Sequence, residues 1–200
     1  MKIAHWLIQQ NIRLFTISLL LIGLTSTMKA QSQTQPSPTP APTAQTVPAA
    51  NPADVATVDS IIAALYDVIS GSPGKRDWDR FRSLFAPGAR LIPTGVRQSG
   101  EVGSRVLTPE DYIQRSAPLL EKDGFFEREV SRGAEQFANI AHIFSTYESR
   151  HGKDDAKPFM RGINSIQMMN DGKRWWIVTV FWQGEDPKNP LPPEYLRSKS

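Results

Sequence analysis

The sequence of 200 residues contains no cysteine. That excludes disulfides, thiolate nucleophiles, cysteine-ligated zinc and a lipidated N-terminal cysteine. A long hydrophobic run is also missing. The best stretch, Leu14 to Leu24, is interrupted by Thr16, Ser18 and Gly23, and it falls well short of the about 20 apolar residues that a spanning helix needs. There is little net charge, and what there is sits in one place. Of the 23 Lys and Arg, three (Lys2, Arg13 and Lys29) lie in the first thirty residues, which hold no acid; the remaining 20 face 20 Asp and Glu. From residue 31 onward the chain is formally neutral, so whole-domain attraction to nucleic acid or to anionic lipid has no electrostatic support. No phosphate loop, dinucleotide fingerprint or metal-ligand spacing occurs, and the pattern calls for no cofactor and no metal.

The basic residues Lys2 and Arg13, the short apolar run and the polar stretch ending at Ala30 have the form of a secretory signal peptide over residues 1–30. Cleavage near Ala30 predicts a periplasmic or secreted bacterial domain; the alternative is an uncleaved anchor, and in either case contact with a membrane is through this segment alone. Residues 31–53 hold six prolines with no charge and no aromatic ring, a composition predicting a disordered tether. Residues 54–184 read as one domain and 185–200 as a tail.

Within the domain, Asn51, Pro52 and Asp54 mark a helix start, and Val58, Ile61, Ile62, Leu65, Val68 and Ile69 form an amphipathic stripe ended by Gly71 and Pro73. A short second helix opens at Asp77 and stops at Pro87-Gly88. Leu91-Ile92-Pro93 predicts no more than a short edge strand, because proline cannot donate to a ladder. Residues 94–107, with Gly95, Gly100 and Gly103, predict a mobile loop able to cover a cavity mouth. Thr108 to Asp111 has capping-box spacing, and Pro118 is expected to kink or end the third helix. From Phe125 the period changes to alternation, with strands near 126–132, 140–149, 159–169 and 175–182, and Asp171-Gly172 marks a tight hairpin. Three helices followed by a four-stranded antiparallel meander is an α+β domain with its helices on one face of a curled sheet.

This order resembles the nuclear transport factor 2-like superfamily, which includes ketosteroid isomerase, scytalone dehydratase and the SnoaL-like polyketide cyclases. The resemblance is carried by Asp77-Trp78-Asp79-Arg80-Phe81 with Leu84-Phe85-Ala86-Pro87-Gly88-Ala89, by Asn139-Ile140-Ala141-His142-Ile143, and by Asp171-Gly172-Lys173-Arg174-Trp175-Trp176-Ile177-Val178. It implies three helices on a strongly curved antiparallel sheet forming a cone. It also implies a hydrophobic pocket for a small molecule, with isomerase, cyclase or dehydratase chemistry as one use and a non-catalytic dimerisation or adaptor module as the other. One departure matters. Ketosteroid isomerase carries an aspartate base shortly after its second helix, where this chain reads Arg90-Leu91-Ile92-Pro93-Thr94.

His142 is a candidate general acid or base, since its ordinary pKa suits proton transfer near neutrality; the other reading is a histidine satisfied by its neighbours. Tyr66 and Tyr147 are candidate donors to a developing oxyanion, or simply packed rings. Arg161 and Asn164 lie on opposite faces of one strand, where one can contact ligand and the other can form an ion pair, for instance with Glu148 or Glu129. Trp78 and Trp182 are candidate ligand-binding aromatics. Trp175, Trp176, Phe181 and Trp182 make the last strand aromatic on both faces, which predicts a homodimer through the outer face of the sheet; the other reading places at least two of the four in the core.

Overall fold

The computed structural model describes residues 47–97 and 99–197. The leader and the first part of the tether lie outside the described residues. Four helices, α1 (Pro52–Val55), α2 (Val58–Ile69), α3 (Trp78–Ser83) and α4 (Pro109–Asp123), accompany six strands. These are β1 (Phe85–Val96), β2 (Val102–Ser104), β3 (Phe126–Phe137), β4 (Ile140–Arg150), β5 (Met160–Asn170) and β6 (Trp175–Gly184). They form one sheet in the order β2-β1-β6-β5-β4-β3, antiparallel except where β1 runs parallel to β6. No helix among the described residues is long and apolar enough to cross a membrane.

The expected first helix is two. Asn51 caps α1 by accepting from the Ala53 N–H, and a reciprocal Thr57–Ser60 capping box then starts α2. The apolar face of α2 (Ile61, Ile62, Leu65, Val68 and Ile69) packs onto Ile143, Ile166 and Ile177 from the inner face of the sheet. Pro118 lies inside α4, which runs on to Asp123; it stands exposed, where the carbonyl it leaves unpaired in the preceding turn can face water.

Leu91-Ile92-Pro93, expected as a short edge strand, belongs instead to the twelve-residue interior strand β1. A proline lacks only the donor: the Pro93 carbonyl still accepts from the Arg105 N–H at 3.2 Å. Much of the expected loop 94–107 is consequently hairpin, with Thr94–Val96 paired to Val102–Ser104 and Leu107 bridged to Leu91.

A bulge in β3 between Glu129 and Ser131 reverses which residues face the helices. Before it, Glu127 and Glu129 point inward beside Ser149 and Tyr147; after it, Arg132 does. Arg128 and Arg132, four residues apart, are therefore on opposite faces. Arg128 pairs with Glu148 outside, while Arg132 bonds Glu129 and reaches Asp59 of α2.

One side chain ties the open end of the cone together. The Arg76 guanidinium donates to the carbonyls of Ile69, Gly71, Ser72, Gly74 and Leu120 at 2.7 to 3.2 Å. It joins the end of α2 to the end of α4, and the Gly71–Phe125 bridge then positions the start of β3.

Candidate functional site

An interior cavity of about 230 Å³ lies between the helices and the concave face of the sheet. Its walls are apolar residues such as Leu65, Leu91 and Val180 together with six aromatic rings, Tyr66, Phe81, Tyr112, Phe125, Tyr147 and Trp182. The polar lining groups are few: Ser116, Asn164, Glu127 and the three tyrosine hydroxyls. No lysine, arginine or histidine lines it.

Glu127 is the second residue of β3; its N–H donates to the Ser70 hydroxyl at 2.9 Å, and that hydroxyl's proton is shared between the carbonyls of Tyr66 at 2.7 Å and Glu127 at 3.1 Å. Its carboxylate accepts from the Ser149 hydroxyl at 2.8 Å. Burial pushes this carboxyl up to about 7, against the opposing hydrogen bonds of Ser149 and Asn164. Burial and then the negative charge of Glu127 hold the phenols of Tyr66, Tyr112 and Tyr147 protonated, well above the ordinary tyrosine range. A carboxyl titrating near neutrality inside an apolar cavity is suited to giving or taking a proton.

Tyr66 and Tyr147 both line the cavity and both are buried, at 5% and 2% exposure, yet their hydroxyls differ. The Ser145 hydroxyl donates to the Glu129 carboxylate at 2.5 Å, so its oxygen is left to accept from Tyr66 at 2.8 Å. The Asn164 amide donates to the Tyr66 oxygen at 3.0 Å. The Tyr66 proton is thus directed at Ser145 and away from the cavity. The Tyr147 hydroxyl makes no hydrogen bond to another described residue, and it passes over Gly162, where a Cβ would stand 2.6 Å from it. The Tyr147 hydroxyl is therefore free to donate into the cavity.

Asn164 is buried on the inner face and Trp182 lines the wall beside Tyr112, their rings 6.3 Å apart. The remaining candidates are elsewhere. His142 shares its strand with Tyr147 but has the opposite parity: it stands on the outer face, bonds the Ser165 hydroxyl at 2.9 Å, and lines a separate recess with Phe144, Thr146 and Tyr195. Its imidazole therefore does not line the interior cavity where Glu127 and Tyr147 lie. Trp78 donates to Glu121 at 2.8 Å on the α3–α4 surface and is absent from the cavity wall. Arg161 faces outward and pairs with Glu185 at 2.6 Å, not with Glu148 or Glu129. None of the described residues among 94–107 lines the cavity, where the sequence predicts a loop able to cover its mouth. Among the described residues no group of three or more histidine or acidic side chains is arranged to hold a metal ion.

Glu127 is the site residue that reading the sequence passed over. The signal was present: a carboxylate directly after Phe125-Phe126 at the start of a strand, of opposite parity to Phe126. Reading it as inward required the register with Ser149, which only the folded sheet supplies.

On the outer face, the C-terminal residues cover part of the sheet: Thr146 and Ser131 donate to the carbonyls of Tyr195 and Arg197 at 2.7 and 2.6 Å. Beyond that cover, Phe137, Ile140, Met169 and Trp176 stand in one cross-strand row, with Phe137 79% and Ile140 61% exposed.

No protein-family model and no curated protein matches the chain. Solved structures do. A protein of unknown function with a cystatin-like fold from Nostoc punctiforme is 14% identical with a TM-score of 0.50, over 68% of this chain and 92% of that one. LinA is 10% identical with a TM-score of 0.50, over 69% of this chain and 93% of its own. A protein of unknown function from Methylobacillus flagellatus, described as like nuclear transport factor 2, is 12% identical with a TM-score of 0.40, over 65% and 95%. The two likenesses at a TM-score of 0.50 are of fold alone: helices packed against the concave face of a curved, mostly antiparallel sheet.

Proposed function

We propose that this chain is an exported domain with the cone of the nuclear transport factor 2-like proteins, which it resembles, and that it binds a small, mostly apolar molecule in its interior cavity. Glu127 and Tyr147 hold the ligand's polar group, and Glu127 has the capacity for acid–base chemistry of the isomerase, cyclase or dehydratase kind. One observation carries this reading. In an otherwise apolar, aromatic-walled cavity, a single carboxyl titrating near neutrality accompanies a phenol with no hydrogen-bond partner among the described residues. Export rests on residues 1–30, outside the described residues.

The cavity holds roughly eight water-sized groups, taking about 30 Å³ for each, so 2-phenylethanol is a suitable probe. Its titration at millimolar concentration is expected to shift the indole N–H resonance of Trp182 while that of Trp78, outside the cavity, stays put. Tyr147→Phe should weaken binding roughly 2- to 10-fold, the value of one hydrogen bond. Absence of any shift at cavity residues would overturn the reading.

A second reading, a dimerising or adaptor module, is favoured by the exposed row Phe137, Ile140 and Met169 on the outer face. It predicts a dimer by sedimentation that Ile140→Lys dissociates; a wild-type monomer at high micromolar concentration refutes it.

A further inference from the structure

Four other partly or largely buried carboxylates sit against an arginine. Asp54 is paired with Arg80, Glu129 with Arg132, Glu148 with Arg128 and Arg150, and Glu185 with Arg161. Among the described residues Glu127 has no such partner; it has the neutral Ser149 and Asn164. A carboxylate withdrawn from water is ordinarily matched by a cation. Here the place for that cation is the cavity itself, bounded by six aromatic rings and by no basic side chain. Aromatic faces attract cations through their quadrupoles, and desolvation strengthens the attraction.

We propose that the ligand of this cavity is an organic cation: a small hydrophobic amine whose ammonium pairs with Glu127 and whose apolar body lies among Phe81, Tyr112, Phe125 and Trp182. This rests on the cavity being a ligand site and adds the charge class of the ligand. The groups facing Glu127 are consistent with it. Tyr66 from α2, Tyr112 from α4 and Tyr147 from β4 are neutral phenols that already sense a negative charge at Glu127. Asn164 from β5 is neutral; a separate recess that also reaches Glu127 holds Arg128, Arg150, Lys153, Asp154 and Asp155, and its two guanidinium groups are engaged by Glu148. The cavity wall itself presents no competing fixed cation to an entering amine. An anion would be repelled by the Glu127 carboxylate.

The test uses three compounds of the same shape on the full chain, 2-phenylethylamine, 2-phenylethanol and phenylacetate, with binding read by calorimetry at pH 8 and pH 5. At pH 8 the amine is cationic, and it is expected to bind at least tenfold more tightly than the alcohol. At pH 5, with Glu127 protonated, the advantage should shrink to about twofold. Phenylacetate should bind at neither pH. In Glu127→Gln the ratio of amine to alcohol affinity at pH 8 should fall to about one. If the alcohol binds the wild type at pH 8 as tightly as the amine, the cation assignment is wrong while the cavity remains a ligand site. Tightest binding of phenylacetate overturns the charge argument. Failure of all three to bind a folded protein overturns both this proposal and the reading on which it rests.

Discussion

Glu127→Gln tests the energetics of the site without any ligand. The side chain's carboxyl titrates at about 7 in the folded protein against 4.5 ordinarily, so the native state retains a proton that the unfolded chain releases between those values. Because the folded value is the higher one, this group's contribution to stability is complete below pH 4.5 and is lost as pH rises to 7. A rise from 4.5 to about 7 corresponds to about 3 kcal/mol. Glutamine keeps the shape, can still accept from the Ser149 hydroxyl, and never ionises. Relative to wild type, Glu127→Gln should therefore be nearly neutral at pH 4 and stabilising by about 2–3 kcal/mol at pH 8. Urea unfolding followed by tryptophan fluorescence at pH 4, 5.5 and 8 measures this directly, and other titrations common to the two proteins cancel in the difference. A variant no more stable than wild type at pH 8, or stabilised equally at pH 4 and pH 8, would show that the carboxylate is not desolvated in the native cavity. The site reading would then lose its energetic basis. A group that weakens its own fold at neutral pH fits a site shaped for binding rather than for stability.

The two cavity tyrosines should separate in stability. Tyr66→Phe removes the acceptor of Asn164 and the donor to Ser145 and should lower stability by about 1–3 kcal/mol, whereas Tyr147→Phe removes a hydroxyl with no protein partner and should change it by less than about 0.5 kcal/mol; equal losses in urea unfolding would contradict the assigned hydrogen-bond directions. Arg76→Ala leaves five carbonyls without their shared donor and should cost about 3 kcal/mol, with amide exchange speeding up first at Gly71, Gly74 and Phe125; uniform speeding across the sheet would mean that Arg76 is not a local clasp.

The regular parts of this fold were legible because they are local. Alternation over 126–184 reports strands, since side chains in a strand take opposite faces in turn, and Asp171-Gly172 reports a hairpin, since the turn needs a residue that accepts positive φ. Capping chemistry at Asn51 and Thr108 reports helix starts for the same reason: the partner atoms lie two or three residues away. Lack of cysteine and lack of net charge beyond residue 30 are likewise properties of the chain itself, and they bounded the chemistry before any fold was known.

What the tertiary structure decided is which groups meet. Whether β1 is an edge or an interior strand depends on a parallel pairing with a strand about ninety residues later, which no local pattern encodes. His142 and Tyr147 are five residues apart on one strand, and odd spacing alone sends one outward and the other into the cavity; which face is the concave one is settled by where α2 and α4 pack. The bulge at Val130 turns Arg132 inward, where it satisfies Glu129, and Glu129 in turn sets the direction of the Ser145 and Tyr66 protons. Glu127 stands inward just before that bulge, beside Ser149, with no arginine brought to it. In the sequence it is one acid among twenty; its burial, its raised pKa and its lack of a cation all come from the walls that close around it.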